Sequence, residues 1–184
     1  MLADRVKRFF SHARYITLGM MDGSLAALSA VSAAYLAGVS EPSALFRILI
    51  GIGIGISASN FSGAYLAEQA EINKERHRIE KAMGLKRGHL KHTLLGYKLR
   101  KKVLIRSFTN SGAAFLGILF AALPLLFLPY TAAVTASVLS AMGLLFLLGV
   151  YLGHYNRASL LTNGIKVLLI SIVVLVLNLL ISKV

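Results

Sequence analysis

Five long apolar stretches dominate the sequence and decide what it can fold into. They cover residues 15–37, 48–67, 107–128, 131–152 and 165–181. A helix needs roughly 20 mostly apolar residues to cross the hydrocarbon core of a membrane, and each stretch approaches or exceeds that length. None shows the ten-residue alternation of a membrane-barrel strand. The sequence therefore predicts an all-α integral membrane protein with five transmembrane helices, forming a single domain over residues 1–184.

The composition excludes several other classes of protein. Hydrophobic residues make up 57% of the chain and charged residues only 15%, whereas soluble domains carry about 25% charged residues. The absence of cysteine excludes a disulfide-stapled secreted module and any cysteine-ligated metal or iron–sulfur centre. The sequence also lacks an intramembrane His–acid pair and a Gly-rich phosphate loop. We therefore expect neither an enzyme nor a bound cofactor.

The basic residues lie on one side of the predicted membrane. Twelve of the 20 Lys and Arg residues fall within residues 68–106, four precede the first stretch, and only Arg47 and Lys183 lie on the opposite side. The positive-inside rule then places the N-terminus in the cytoplasm and the C-terminus outside, with residues 68–106 as a basic cytoplasmic helical extension and loop. Topology and attraction to anionic membrane lipids account for the net charge of +13. Nucleic acid is not an expected partner, because no base-stacking aromatic motif accompanies the basic run.

A single acidic residue, Asp22, lies inside the five apolar stretches, about two turns from the cytoplasmic end of the first. A carboxylate at that depth costs at least ~2.5 kcal/mol on membrane-insertion scales, so such groups face a partner, a cavity or a transport pathway. Two interpretations stay open: a protonated Asp22 that hydrogen-bonds to a neighbouring helix, or a group that carries a cation or a proton. Asp22 is therefore the first candidate for a transport pathway.

Small residues surround Asp22 along the first stretch. Gly19 and Gly23 have the Gly-x-x-x-Gly spacing, and Ala26 and Ala30 continue the strip. Such strips let two helices approach closely, so this strip is a candidate dimer seam between two copies of the chain. A twofold seam would bring two Asp22 carboxylates near one axis. Because two like charges repel in a dry site, they would share a proton or hold a cation.

Amide side chains in the next two stretches extend the candidate pathway. Asn60 lies deep in the second stretch among Gly and Ser residues, and Asn110 lies near the start of the third, at the depth expected for Asp22. Together with Asp22 they would supply oxygen ligands to a metal ion, or they would satisfy one another in a polar network. Both interpretations fit the sequence equally.

Three glutamates follow the second stretch, on a predicted continuation of its helix. Glu68, Glu71 and Glu75 are three and four residues apart, which places them on one helix face. Carboxylates on such a stripe bind hard divalent cations, so a cytoplasmic metal-collecting site is one interpretation. The other is a solvated face with ion pairs between Glu71 and Lys74 and between Glu75 and Arg78.

Five short motifs resemble the vacuolar iron transporter family, which includes yeast and nodulin-like members. The first is Gly19-x-x-Asp22-Gly23 at the start of the first stretch, and the longest is SGAYLAEQAE at residues 62–71. The other three are ALPLL at residues 122–126, LFLLG at residues 145–149 and NGIK at residues 163–166. The resemblance covers all five apolar stretches.

The resemblance implies a five-helix homodimer that exports Fe²⁺ or a related divalent cation such as Mn²⁺ from the cytoplasm in exchange for protons. It also implies that Asp22 lies on a pathway at the dimer interface and that Glu71 belongs to a cytoplasmic metal-collecting surface. The chain departs from the family pattern in the second stretch, where Asn60 replaces a Met and residues 51–55 lack an acid. Loss of a thioether ligand favours harder, oxygen-preferring metals. The larger cytoplasmic domain of many members is reduced here to residues 68–106.

Two functions are compatible with these features. The first is a multi-pass metal transporter, with membrane lipids, metal ions, protons and a second copy of the chain as partners. The second is a non-transporting dimeric scaffold or regulatory protein whose basic loop binds anionic lipid or an acidic partner. The sequence shows no targeting segment, so a prokaryotic plasma membrane is the expected location.

Overall fold

The chain folds into a bundle of long helices. The computed structural model describes residues 2–155 and 159–182, with side chains described for residues 13–154 and 159–182. The α-helices in chain order are α1 (Leu2–Leu36), α2 (Pro42–Ala82), α3 (Leu94–Ala122), α4 (Pro124–Phe127), α5 (Tyr130–Tyr155) and α6 (Leu160–Ile181). Over these described ranges no strand occurs, which confirms the all-helical prediction.

Five segments of the bundle are long and apolar enough to cross a membrane, as predicted. They are Ala13–Leu36 in α1, Pro42–Ala82 in α2, Leu94–Phe127 across α3 and α4, Tyr130–His154 in α5 and Leu160–Ile181 in α6. Each contains one of the apolar stretches identified in the sequence, to within one or two residues at the ends. The architecture is therefore that of a multi-pass membrane protein.

Proline and glycine set the helix boundaries. Gly38, with a φ of 82°, lies just after the end of α1, and Pro42 occupies the first turn of α2. Pro124 begins α4 directly after α3, and Pro129 precedes α5. Proline lacks a backbone N–H group and fits best in the first turn of a helix. Each of these prolines therefore marks the start of a new helix rather than the interior of the preceding one.

Helix α2 is about twice as long as a membrane crossing requires. Its 41 residues extend over about 60 Å, whereas the hydrocarbon core is about 30 Å thick. The predicted continuation of the second apolar stretch as a helix beyond residue 67 is confirmed. Residues 68–106, which are the second half of α2, the following turn and the first part of α3, form one end of the bundle, which we call the basic end.

Helix α3 is the central element of the bundle. Helices α1 and α2 both pack along it, while α5 pairs with α6, and both of these also contact α1. The fully buried side chains of the core come from four helices, namely Leu28, Leu45, Leu49, Ile118 and Leu145. Asn178 links α6 to α1, since its Nδ2 donates a hydrogen bond to Ser32 Oγ of α1 at 2.9 Å.

The turn at the basic end is built around Glu80. A 3₁₀ helix, His89–His92, connects α2 to α3, and the side chain of Glu80 is buried beneath it. The carboxylate accepts hydrogen bonds from the backbone N–H groups of Gly88 and Leu90, each at 3.0 Å. The Gly88 N–H lowers the pKa of Glu80 most, since it favours the charged carboxylate.

Candidate functional site

Asp22 and Asn60, two of the three predicted pathway residues, meet in the structure. Asn60 Nδ2 of α2 donates a hydrogen bond to Asp22 Oδ2 of α1 at 3.3 Å. Asp22 is exposed on the surface of α1, and Asn60 is half-buried. Asp22 lies seven residues beyond Tyr15, which places it about 10 Å farther along the helix from the basic end. A carboxylate–amide pair thus lies within two helices that are apolar enough to cross a membrane.

Asn110, the third predicted residue, lies on α3 apart from this pair. Its side chain is half-buried and, among the described side chains, donates no hydrogen bond to Asp22 or Asn60. The neighbouring Ser111 instead joins α3 to α2, because its Oγ donates to the backbone oxygen of Ser57 at 2.8 Å. The structure therefore brings Asp22 and Asn60 together and leaves Asn110 outside the pair.

The two glycines of the predicted dimer seam pack against α3 of the same chain. A Cβ atom at Gly19 would lie 2.2 Å from the backbone oxygen of Asn110, and one at Gly23 would lie 2.0 Å from that of Ala114. Gly117 of α3 makes the reciprocal approach, since a Cβ there would lie 2.6 Å from a backbone oxygen of α1. The dimer-seam prediction is therefore wrong for Gly19 and Gly23, because α3 occupies the face that a second copy would need.

The remaining residues of the predicted seam are also turned at least partly inward. Ala30 packs against the hydrophobic core, and Ala26 is half-buried. The surface that α1 leaves uncovered carries Asp22 and, one turn earlier, Leu18, which is 42% exposed. The exposed acid and the close-packed glycines therefore lie on different faces of α1.

Glu68 is a buried structural residue and not part of a metal-collecting surface. It retains only 4% of its accessible surface. One carboxylate oxygen accepts a hydrogen bond from Arg106 Nη1 of α3 at 2.6 Å, and the other accepts one from the Tyr15 hydroxyl of α1. The Arg106 guanidinium also lies over the Tyr15 ring, 5.6 Å from its centroid. This Tyr15–Glu68–Arg106 cluster joins α1, α2 and α3, and it buries the Glu68 carboxylate against a cationic partner.

Glu71 and Glu75, the other two predicted glutamates, are exposed on α2. Neither forms an ion pair with a described Lys, Arg or His side chain within 4.0 Å, so the predicted pairs with Lys74 and Arg78 are not formed. Within the described ranges no group of three or more His, Cys, Asp or Glu side chains is placed to hold a metal ion. The described part of one chain therefore offers separate carboxylates and no group of three ligands.

The sequence did not predict the partners of two buried glutamates at the basic end, Glu68 and Glu80. Tyr15 and Arg106 border the first and third apolar stretches at the same end as Glu68, so their positions along the chain already indicated that they share its depth. Nothing comparable marked Glu80, because its partners are backbone N–H groups of a turn that the sequence pattern does not predict.

The chain is similar over nearly its whole length to one archaeal protein. "Uncharacterized protein MJ0645" of Methanocaldococcus jannaschii is 30% identical over 173 residues, which cover 94% of this chain and 90% of that protein. No protein-family model matches the chain. The similarity therefore includes both the apolar helices and the basic end.

Proposed function

We propose that this chain, which belongs to the same family as the Methanocaldococcus jannaschii protein, exports a divalent metal cation, Fe²⁺ or Mn²⁺, from the cytoplasm in exchange for protons. The observation that carries the proposal is the exposed Asp22 carboxylate, held by Asn60 on a helix apolar enough to cross a membrane. An acid in hydrocarbon is costly and usually faces a pathway or a cavity. The resemblance of the surrounding motifs to the vacuolar iron transporter family supports a metal cargo.

The chemistry of the pair suits a hard divalent cation. Asp22 supplies a carboxylate oxygen and Asn60 an amide oxygen, which are ligands that Mn²⁺ accepts readily. In the structure the amide nitrogen of Asn60 faces Asp22. An arriving cation replaces that N–H donor, and the amide turns to present its oxygen. A protonated Asp22 releases its proton when the metal binds, so the metal and the proton cross the membrane in opposite directions.

A second copy of the chain completes the ligand set in this proposal. One chain contributes the single carboxylate of Asp22 at this depth, whereas a twofold dimer contributes two. The uncovered surface of α1 that carries Leu18 and Asp22 is the surface on which we place the dimer contact. This contact replaces the one at Gly19 and Gly23, whose face is occupied by α3.

The charge distribution supports an inward-facing basic end. The basic end carries most of the Lys and Arg residues, and Arg47 lies in the first turns of α2 at the opposite end. In our proposal the basic end faces the cytoplasm, as the positive-inside rule favours, and the membrane is a prokaryotic plasma membrane. Glu71 and Glu75 remain exposed there and are the carboxylates that would first meet a cytoplasmic cation.

Metal flux into proteoliposomes under a pH gradient tests the proposal. The wild type is expected to move Fe²⁺ or Mn²⁺, and Asp22→Asn is expected to abolish the flux because it removes the charge that binds metal and proton. Glu41→Gln makes the same change of charge on an exposed acid at the N-terminal cap of α2, and it should transport normally. Undiminished flux in Asp22→Asn would remove Asp22 from the mechanism.

A non-transporting membrane scaffold is the second candidate function. The observation in its favour is the lack of a three-ligand metal group in the described part of one chain. It predicts that the correctly folded wild type binds no metal and moves none. It further predicts that the basic end attaches to anionic liposomes and that this attachment weakens as salt is added.

A further inference from the structure

A cavity of about 460 Å³ opens at the basic end between the second half of α2 and the start of α3. Its polar lining consists of cationic and amide side chains, with no carboxylate among the residues that line it. The cations are Arg76, Lys91 and Arg100, and the amides are Gln69 and Asn73. This lining is complementary to an anion with several acceptor oxygens.

Within the described part of the chain, Arg76 forms one long ion pair, with Glu80, and its Nε, which is buried, forms no hydrogen bond. The nearest carboxylate oxygen, Glu80 Oε1, lies 3.9 Å away and already accepts hydrogen bonds from the backbone of the following turn. Because Arg76 lines the cavity, an anion bound there would add a favourable charge interaction with its guanidinium group.

A glycine brings Lys91 to the same cavity. A Cβ atom at Gly96 would lie 2.3 Å from the backbone oxygen of Leu90 and 2.7 Å from that of Lys91. Only glycine therefore allows the 3₁₀ helix to lie against the first turn of α3. The first turn of α3 also contributes the partial positive charge of a helix N-terminus at this point.

The part of the cavity nearest the membrane-spanning segments has a mainly apolar wall. It is formed by Tyr65, Val103 and Leu104, which lie next to the predicted membrane ends of α2 and α3. Leu104 is 44% exposed, and Phe108, one turn farther into the third apolar stretch, is 65% exposed. A ligand at this site would meet cations on one side and lipid-facing hydrophobic surface on the other.

We infer that this cavity binds the phosphate group of an anionic phospholipid, with the acyl chains lying along the exposed apolar surface of α3. The cationic lining recognises the phosphate, and the apolar wall favours a lipid over a soluble phosphate compound. This inference goes beyond metal transport and does not depend on it, because the cavity and the Asp22–Asn60 pair share no residue.

Native mass spectrometry of the delipidated full-length chain in detergent tests the inference. Phosphatidylglycerol should bind, and phosphatidylcholine, whose headgroup has no net charge, should bind much more weakly. The double variant Lys91→Gln with Arg100→Gln should bind phosphatidylglycerol at least about tenfold more weakly, because it removes two charge-assisted contacts. The matched control, Lys98→Gln with Lys102→Gln, removes the same charge from exposed residues of α3 outside the cavity and should bind as the wild type does.

Equal losses in the two double variants would overturn the inference, because they would assign lipid binding to the general charge of the basic end. The circular dichroism spectrum of each variant checks that it is folded. A titration with inorganic phosphate distinguishes the source of the phosphate group. Cavity-dependent binding of inorganic phosphate that is as tight as that of phosphatidylglycerol would overturn the choice of a lipid.

Discussion

The substitution Glu68→Gln separates the structural role of this glutamate from a metal-collecting role. Glu68 accepts hydrogen bonds from Tyr15 and Arg106, so α1, α2 and α3 all meet at its carboxylate. Glutamine has nearly the same shape but no charge. The substitution therefore leaves the Arg106 guanidinium without a counter-ion in a site where water has little access.

The expected loss of stability follows from the burial of the pair. The side chains of Arg106 and Glu68 are 15% and 5% exposed, and their charged atoms are 2.6 Å apart. Removing one partner of a buried ion pair costs about 3–5 kcal/mol. The glutamine amide keeps one hydrogen bond, worth about 1 kcal/mol, so we expect the free energy of unfolding to fall by about 2–4 kcal/mol.

Unfolding of the purified protein in mixed micelles with increasing dodecyl sulfate, followed by circular dichroism, measures this loss. Glu71→Gln is the matched control, since Glu71 lies one turn later on α2 and is exposed, and its change should stay within about 0.5 kcal/mol. Adding Arg106→Gln to Glu68→Gln should recover part of the loss because the unpaired charge is gone. If Glu68→Gln were as stable as Glu71→Gln, the argument that Glu68 is a structural residue would be refuted.

Two further changes test other contacts of the bundle. Gly23→Ala should lower the free energy of unfolding by about 1–3 kcal/mol, because the added Cβ would lie 2.0 Å from the backbone of α3. The control Gly112→Ala, whose Cβ would meet nothing within 4 Å, should be neutral or stabilising by up to about 1 kcal/mol. Equal stabilities of the two variants in the same unfolding assay would contradict the close helix contact. The pKa of Glu80 lies below its ordinary value of 4.5, so the stability that its carboxylate contributes is present above pH 4.5 and is lost as the pH falls through the lowered pKa. Hydrogen exchange at the Gly88 and Leu90 amides, corrected for intrinsic rates, should therefore lose protection in acid, and a constant protection would contradict it.

The helices could be predicted because membrane crossing is a strong physical constraint. Length and hydropathy alone located all five apolar segments, since a backbone in hydrocarbon has to satisfy its own hydrogen bonds. These features depend on local sequence and on the solvent, so they require no knowledge of which helices are neighbours.

The partners of individual side chains could not be predicted in the same way. The spacing of Gly19 and Gly23 correctly indicated a close helix contact, but spacing does not identify the helix on the other side, which is α3 of the same chain. Helical periodicity likewise placed Glu68 on one stripe with Glu71 and Glu75. Burial then separates them, because α1 and α3 cover Glu68 alone.

Asp22 differs in its surroundings from the other acids with described side chains. Two of the acids with described side chains, Glu68 and Glu80, are buried and accept hydrogen bonds from Arg106 or from backbone N–H groups of a turn. The other acids with described side chains are exposed, and of these only Asp22 lies inside an apolar stretch. The Asp22 carboxylate accepts a hydrogen bond from the Asn60 amide in a segment where an acid is costly. The transport role that we propose for Asp22 would account for an acid at this position.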